Sequence, residues 1–236
     1  MKRVSSCFPL LPLTGVLVFV VSAAAAGPTG FPFTDEDLNY TITSPGKASL
    51  GEAHLHARHS GATWNFEFVV DAGIPGYQVT NNYRAEAGAD FCTASFDRRT
   101  TQGARKTEEN ETVDHGRGMV SRVSKDGGQS EIQVPDCVKD ALTYLFYARE
   151  EMGQGRVPTA QKLLFGGLYE ISPSYTGAPM IPMNGSQVQT DELVCTVKGP
   201  SASITFEIYF ARDAARTPLL IKLPLAMGTF SMELTR

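Results

Sequence analysis

The sequence predicts a mainly β fold, in which one large curved antiparallel sheet or an incomplete β-barrel carries a single α-helix near residues 140–152. Apolar and polar residues alternate in many short runs, as they do in half-buried strands. Short turn sequences such as Ser44-Pro45-Gly46-Lys47 separate the runs, and this spacing favours antiparallel hairpins over the longer crossovers of a parallel sheet. Roughly a dozen strands of ordinary length fit into the chain.

The beginning of the chain has the features of a secretory signal peptide. Positive charge at residues 2–3 precedes an apolar stretch at 15–21, and small residues at 22–27 suit a signal peptidase. The uninterrupted apolar run is shorter than the roughly 20 residues that a membrane-spanning helix needs. We therefore predict that residues 1–26 are removed during export.

The best cleavage point is after Ala26, with Ala24 as the alternative. Residues 27–236 are then a single β-rich domain without a transmembrane segment. Cys7 precedes the apolar stretch, so it cannot be a lipid-acceptor cysteine at the cleavage point. The mature chain is expected in an oxidising compartment outside the cytoplasm.

Composition limits the classes of partner. The chain has 25 acidic and 21 basic residues, a net charge of −4, so it has no global electrostatic reason to bind nucleic acid. With 42% hydrophobic and 19% charged residues it is too apolar for a disordered chain. We expect a monomer without a cofactor.

Five stripes of alternating apolar residues define the main predicted strands. They are Trp64, Phe66, Phe68 and Val70; Leu193, Cys195 and Val197; Ala202, Ile204, Phe206, Ile208 and Phe210; Leu219, Ile221 and Leu223; and Phe230, Met232 and Leu234. Residues 177–189 are the most loop-like stretch of the body. The segment from Gln102 to Gln129 is the most polar and predicts long exposed hairpins.

The one helical segment runs from about Asp140 to Met152. Asp140 is the predicted N-cap, with Asp136 as the alternative, and the two glycines that follow Met152 predict the end of the helix. The apolar arc is centred on Leu145. Its opposite face is predicted to carry Thr143 together with two glutamates.

Arg149 does not follow this pattern, because it lies at about 40° from Leu145, inside the apolar arc. One interpretation is snorkelling, with an apolar stem and a solvated head group. The other is a guanidinium held by a carboxylate or by strand carbonyls, because an unpaired buried charge is costly. We favour the second.

Export favours disulfide bonds between the cysteines of the mature chain. Cys195 shares a strand face with Leu193 and Val197, and this position predicts a buried free thiol. Cys92 and Cys137 remain and are predicted to pair.

No catalytic or metal-binding residue is predicted. His54 and His56 would share one strand face, as two metal ligands could. The apolar residues that alternate with them, Ala53, Leu55 and Ala57, predict that the other face is buried and that both histidines face solvent. Glu108, Glu109, Glu111 and Asp114 are sequence neighbours on a polar hairpin and predict a solvated face. No Gly-x-Ser-x-Gly motif, phosphate loop or dinucleotide fingerprint is present.

The helix and the C-terminal strands resemble a bacterial family catalogued as domain of unknown function 3108. The helix signature is matched at Asp140, Leu142 and Arg149, with conservative departures at two other positions and a shifted aromatic. The family's ending, a strand followed by an Asp-x-x-Arg-x-Pro turn, resembles residues 206–218. Its beginning resembles residues 37–53.

The resemblance implies an exported, mostly β protein of Gram-negative bacteria, and no activity. It also implies structural roles for Asp140, Arg149, Asp213, Arg216 and Pro218. We expect a periplasmic, non-catalytic binding or structural protein for a lipid-like or polymeric (for example glycan) envelope ligand, since a curved sheet can enclose an apolar groove. The alternative is a hydrolase that acts on envelope polysaccharide or lipid.

Overall fold

The computed structural model describes residues 34–74, 76–200, 203–225 and 228–235. The predicted signal peptide, residues 1–26, and its cleavage point lie outside these residues, as does Ala202. The described chain forms a sheet of 16 strands and one helix. The strands are β1 (Glu36–Thr43), β2 (Ser49–Ser60), β3 (Thr63–Ile74), β4 (Tyr77–Ala87), β5 (Thr93–Gln102), β6 (Arg105–Asp114), β7 (Met119–Ser124), β8 (Gln129–Gln133), β9 (Lys139–Asp140), β10 (Gln161–Leu164), β11 (Leu168–Gly177), β12 (Met180–Met183), β13 (Ser186–Lys198), β14 (Ser203–Ala211), β15 (Pro218–Leu225) and β16 (Gly228–Thr235).

The sheet is open, curved and almost wholly antiparallel, as predicted. Its strand order is β8-β7-β6-β5-β4-β3-β2-β1-β16-β15-β14-β13-β11-β10-β9, with β12 paired to β13. Two meanders are joined where β1 pairs with β16, and β9 pairs with β10 in the parallel sense. The first and last strands of the described chain thus lie side by side in the middle of the sheet, and the helix between the two meanders lies against the sheet's concave face.

The helix α1 (Ala141–Gly153) contributes to two apolar clusters, one in each half of the sheet. Leu142 and Phe146 pack against β1–β5, and Tyr144, Ala148 and Met152 pack against β10, β11, β13 and β14. Because the sheet curves around it, the helix is buried on more than one side. The predicted single apolar arc is therefore too narrow.

Two helix residues differ from their predicted environment. Thr143, predicted on the solvent face, is fully buried. Its hydroxyl group lies within hydrogen-bond distance of Thr93 and Asp140, so this polar group is satisfied inside the protein. Leu145, the centre of the predicted arc, is only partly buried. It packs against both apolar clusters and also lines an apolar cavity.

Asp140 is the N-cap of α1. Its carboxylate accepts hydrogen bonds from the backbone N–H groups of Leu142 (2.7 Å) and Thr143 (3.1 Å), and the Thr143 hydroxyl accepts from the N–H of Asp140. This reciprocal arrangement is a capping box. At the other end the helix stops at Gly153, and Gly155 follows with a φ of 75°.

We predict that Asp140→Ala lowers the free energy of unfolding by about 1–2 kcal/mol, because two helix N–H groups lose their acceptor. Urea denaturation measures this change. Asp136→Ala is the matched control, since Asp136 is exposed and does not cap the helix. Equal stability of the two variants would contradict the assigned cap.

The sequence predicted a loop at residues 177–189, and this prediction is wrong. The stretch contains the β12–β13 hairpin. Ile181 and Met183 of this hairpin are buried with Tyr209 and Leu219 in a separate cluster. Leu219 therefore departs from the predicted stripe, because the pairing of β14 and β15 shifts register there. The apolar side chains of the hairpin explain why it folds onto the sheet.

Candidate ligand cavity

The concave side of the sheet encloses an apolar cavity of about 560 Å³ next to α1. All of the predicted strand stripes contribute side chains to it. Helix α1 forms one wall, and the turn between β10 and β11 forms another. The described residues that line it are Tyr40, Leu55, Phe68, Tyr83, Phe96, Ala141, Leu142, Tyr144, Leu145, Ala148, Leu163, Phe165, Tyr169, Ile171, Leu193, Cys195, Val197, Ile204, Phe206, Ile208, Phe210, Ile221, Leu223 and Met232.

No residue in this lining carries a charge. Two of its tyrosines direct their hydroxyl groups to backbone carbonyls: Tyr40 donates to Pro218 (3.0 Å) and Tyr144 donates to Thr159 (3.2 Å). These hydroxyl groups are thereby satisfied by the protein. The cavity consequently offers apolar surface, which favours a ligand that gains free energy by leaving water.

The cavity lining reaches the end of the sheet where β14 begins and β15 ends. Ile204 belongs to the lining and is 38% exposed, so it lies at the boundary between the cavity and solvent. Leu223 and Tyr169 also line the cavity and are partly exposed. These side chains form the partly exposed edge of the cavity lining.

The opposite end of β14 leads into the turn that contains the predicted structural residues Asp213 and Arg216. Asp213 accepts hydrogen bonds from the backbone N–H (3.0 Å) and hydroxyl group (2.7 Å) of Thr217. Arg216 donates to Asp191 at 2.5 Å, and Arg212 donates to the other carboxylate oxygen. Although burial opposes it, these arginines and Tyr175 hold the pKa of Asp191 below its usual value.

Arg149 reaches this same turn from the helix. Its guanidinium is fully buried, donates two hydrogen bonds to the Glu36 carboxylate and one to the backbone carbonyl of Ala215 (3.0 Å). It also lies 4.7 Å from the ring centre of Phe146. A head group with no exposed surface does not snorkel, so the geometry matches a guanidinium shared between a carboxylate and a carbonyl.

The predicted disulfide between Cys92 and Cys137 is present, with the two Cα atoms 4.5 Å apart. It joins the start of β5 to the segment before the helix. Cys195 is free and buried in the cavity wall, as predicted. Burial raises the pKa of its thiol to about 12, which makes this group a poor nucleophile at neutral pH.

His54 and His56 lie on the outer face of β2, as predicted, and the small apolar residues between and beside them are buried. The Nδ1 atom of His54 lies 2.7 Å from the side-chain oxygen of Asn39, and that of His56 lies 2.5 Å from Asp37. These contacts link β2 to β1 across the surface. The two rings are nearly parallel, with centres 6.4 Å apart.

The prediction of a solvated carboxylate face is wrong for Glu109 and Glu111. Glu111 is 1% exposed, and Glu109 is largely buried in an ion pair with Arg98. Both side chains point to the concave side of the sheet, where the β10–β11 turn covers them. The residues near Glu109 and Glu111 in the sequence could not predict this burial, because the turn that covers them lies more than 50 residues farther along the chain.

A model of the family described as protein of unknown function DUF3108 matches residues 39–235. The chain belongs to the DUF3108 family. The match includes the helix signature and the C-terminal strands on which the resemblance was based. No curated protein matches this DUF3108 chain.

A solved structure shares the fold of this DUF3108 protein. A β-barrel-like protein of the domain of unknown function DUF1849 from Brucella abortus superposes with a TM-score of 0.61 at 8% identity, over 86% of this chain and 97% of that one. A protein with a YmcC-like fold from Bacteroides fragilis covers 88% of this chain and 97% of its own at 7% identity, but its TM-score of 0.32 supports no argument. The first similarity establishes a β-barrel-like fold. No helix in the described part of the DUF3108 chain is long and apolar enough to cross a membrane.

Proposed function

We propose that this protein is an exported, non-catalytic binding protein that holds a lipid-like ligand in its apolar cavity. The observation that carries the proposal is the 560 Å³ cavity, whose described lining has no charged residue. Its volume falls within the roughly 300–1,000 Å³ typical of small-molecule sites. Each methylene group that enters gains about 0.8 kcal/mol, so even a short acyl chain offsets the cost of association.

The proposed location is the periplasm of a Gram-negative bacterium. The predicted signal peptide supports export, and the Cys92–Cys137 disulfide supports an oxidising compartment. A polymeric ligand such as a glycan fits the lining less well, because sugar hydroxyl groups would be buried without partners. A hydrolase would need convergent catalytic groups at the cavity, where the described residues supply tyrosines and one weakly acidic thiol.

The uncharged fluorophore N-phenylnaphthylamine, which brightens in apolar surroundings, tests the cavity directly. We expect saturable binding that a fatty acid or a phospholipid displaces. Ile204→Asp should weaken binding by about tenfold or more, because it places a carboxylate at the mouth of an apolar site. The measurement is a fluorescence titration of the purified mature protein.

Val123→Asp is the matched control, since Val123 is an exposed strand residue (44%) that does not belong to the cavity lining. It should bind the fluorophore like the unmodified protein. Absence of saturable binding, or equal loss in both variants, would contradict the proposed function.

A further inference from the structure

One wall of the cavity is a turn and not a strand. Phe165, between β10 and β11, lines the cavity with its ring centre 5.5 Å from that of Tyr83 and 5.7 Å from that of Phe96. Tyr83 and Phe96 also line the cavity, so the Phe165 ring closes the gap between them and the helix side. Displacement of the turn would enlarge the cavity toward β5–β8.

Three polar side chains of the sheet, one carboxyl group and two guanidinium groups, contact this turn. Glu111 on β6 accepts a hydrogen bond from the backbone N–H of Gly166 (3.3 Å), and Arg122 on β7 donates to the Gly166 carbonyl (2.5 Å). The Arg98 guanidinium lies 5.1 Å from the ring centre of Phe165. We name this arrangement, the Phe165–Gly167 turn with these three side chains, the clamp.

Gly166 allows the close fit of the clamp. Its φ of 69° is in the left-handed region, and a Cβ atom there would lie 2.6 Å from an Arg98 nitrogen and 3.0 Å from a Glu109 oxygen. A side chain at this position would push the turn off the charged groups. The turn therefore lies in direct contact with the side chains of Arg98 and Glu109.

Within the clamp, the carboxyl group of Glu111 has the fewest partners that could stabilise its charged form. It is 1% exposed, and its second carboxylate oxygen has no hydrogen-bond partner among the described residues. The charged groups that face it are Glu109 on its own strand, Arg98 on β5 and Arg122 on β7, while the turn contributes only backbone groups. Arg98 is bound to Glu109 and Arg122 to the Gly166 carbonyl, so the protein leaves an ionised Glu111 poorly compensated.

We propose that the Phe165–Gly167 turn is a proton-controlled latch on the cavity, closed while Glu111 carries a proton and open when Glu111 ionises. The functional meaning of the latch rests on the proposed ligand site, since it would couple ligand exchange to pH. Moving the turn admits water to the carboxylate, which is the simplest way to solvate the new charge. Phe165 moves with the turn, so the same step opens the cavity wall.

The direction of the effect follows from proton linkage. Burial raises the pKa of Glu111 to about 7, with Glu109 acting in the same sense and the Gly166 N–H, Arg98 and Arg122 acting against it. In an open form the carboxyl group is solvated and its pKa returns toward its ordinary value. The closed form therefore binds the proton more tightly, and the open fraction rises as pH rises from about 5 to about 7 and then levels off.

Hydrogen exchange of the turn amides, residues 165–168, tests the latch without any ligand. After correction for intrinsic exchange rates, their protection should fall by about tenfold or more between pH 5 and pH 8. Glu111→Gln keeps the shape and an acceptor oxygen but cannot ionise, so its protection should be independent of pH. Exchange is measured on the whole mature protein.

Glu108→Gln is the matched control, because Glu108 lies on the opposite, exposed face of the same strand, paired with Arg99. It should retain the pH dependence of the unmodified protein. Protection that does not change with pH in the unmodified protein would overturn the latch, whether or not the Gln variant folds. So would the same pH dependence in Glu111→Gln.

The rate of N-phenylnaphthylamine release supplies the second readout. Release should accelerate from pH 5 to pH 7 in the unmodified protein and stay slow in Glu111→Gln. If the protein binds the fluorophore but releases it at a rate that does not depend on pH, the latch is overturned and the proposed function stands. If hydrogen exchange of the turn depends on pH but the protein binds no fluorophore, the movement of the turn is supported and the proposed function is overturned.

Discussion

Replacing Arg149 with methionine is expected to lower the free energy of unfolding by about 3 kcal/mol, because the substitution leaves the Glu36 carboxylate without its buried partner. Arg149→Lys should also destabilise the protein markedly. A lysine ammonium cannot donate at once to both Glu36 oxygens and to the Ala215 carbonyl, as the planar guanidinium does. Urea and thermal denaturation measure both changes.

Arg156→Met is the control for Arg149, since Arg156 pairs with Glu151 just beyond the same helix but is largely exposed. It should melt like the unmodified protein. The double variant Arg149→Met, Glu36→Gln should be less destabilised than the sum of its parts, because no unpaired charge remains. If both Arg149 variants melt normally, its structural role is refuted. Normal folding with loss of fluorophore binding would make it a binding residue.

Removing the disulfide by Cys92→Ala together with Cys137→Ala is expected to lower the stability by about 4 kcal/mol in the chain-entropy description, given its separation of 45 residues. Denaturation with and without reductant provides the internal control. Reductant should destabilise the unmodified protein and leave the double variant unchanged. A reductant effect that persists in the double variant would mean that Cys195 takes part in a disulfide.

The elements that the sequence predicted well depend on local pattern. Alternation of apolar residues identified the strands around Trp64 and Leu193, and the Asp140 cap marked the start of the helix. A charge on an apolar helix face indicated that Arg149 needed partners. The identity of those partners was beyond sequence reasoning, because Glu36 lies 113 residues away and one bond goes to a backbone carbonyl.

The features that sequence reasoning missed depend on which distant segment covers which face. Glu111 looks like a solvated residue in a polar hairpin, and only the turn at Gly166 makes it a buried one. The helical period placed Leu145 at the centre of the buried arc, yet it also lines a cavity, since spacing does not reveal whether two facing layers touch everywhere. Met180–Met183 is too short to show strand periodicity and folds by pairing with β13.

The most direct test of a lipid-binding cavity is native mass spectrometry of the protein purified from its host envelope without added lipid. The account predicts an adduct with the mass of one lipid-like molecule, released on denaturation and strongly reduced in Ile204→Asp but not in Val123→Asp. Protein that carries no adduct and binds no added lipid, or that carries only a glycan, would contradict it.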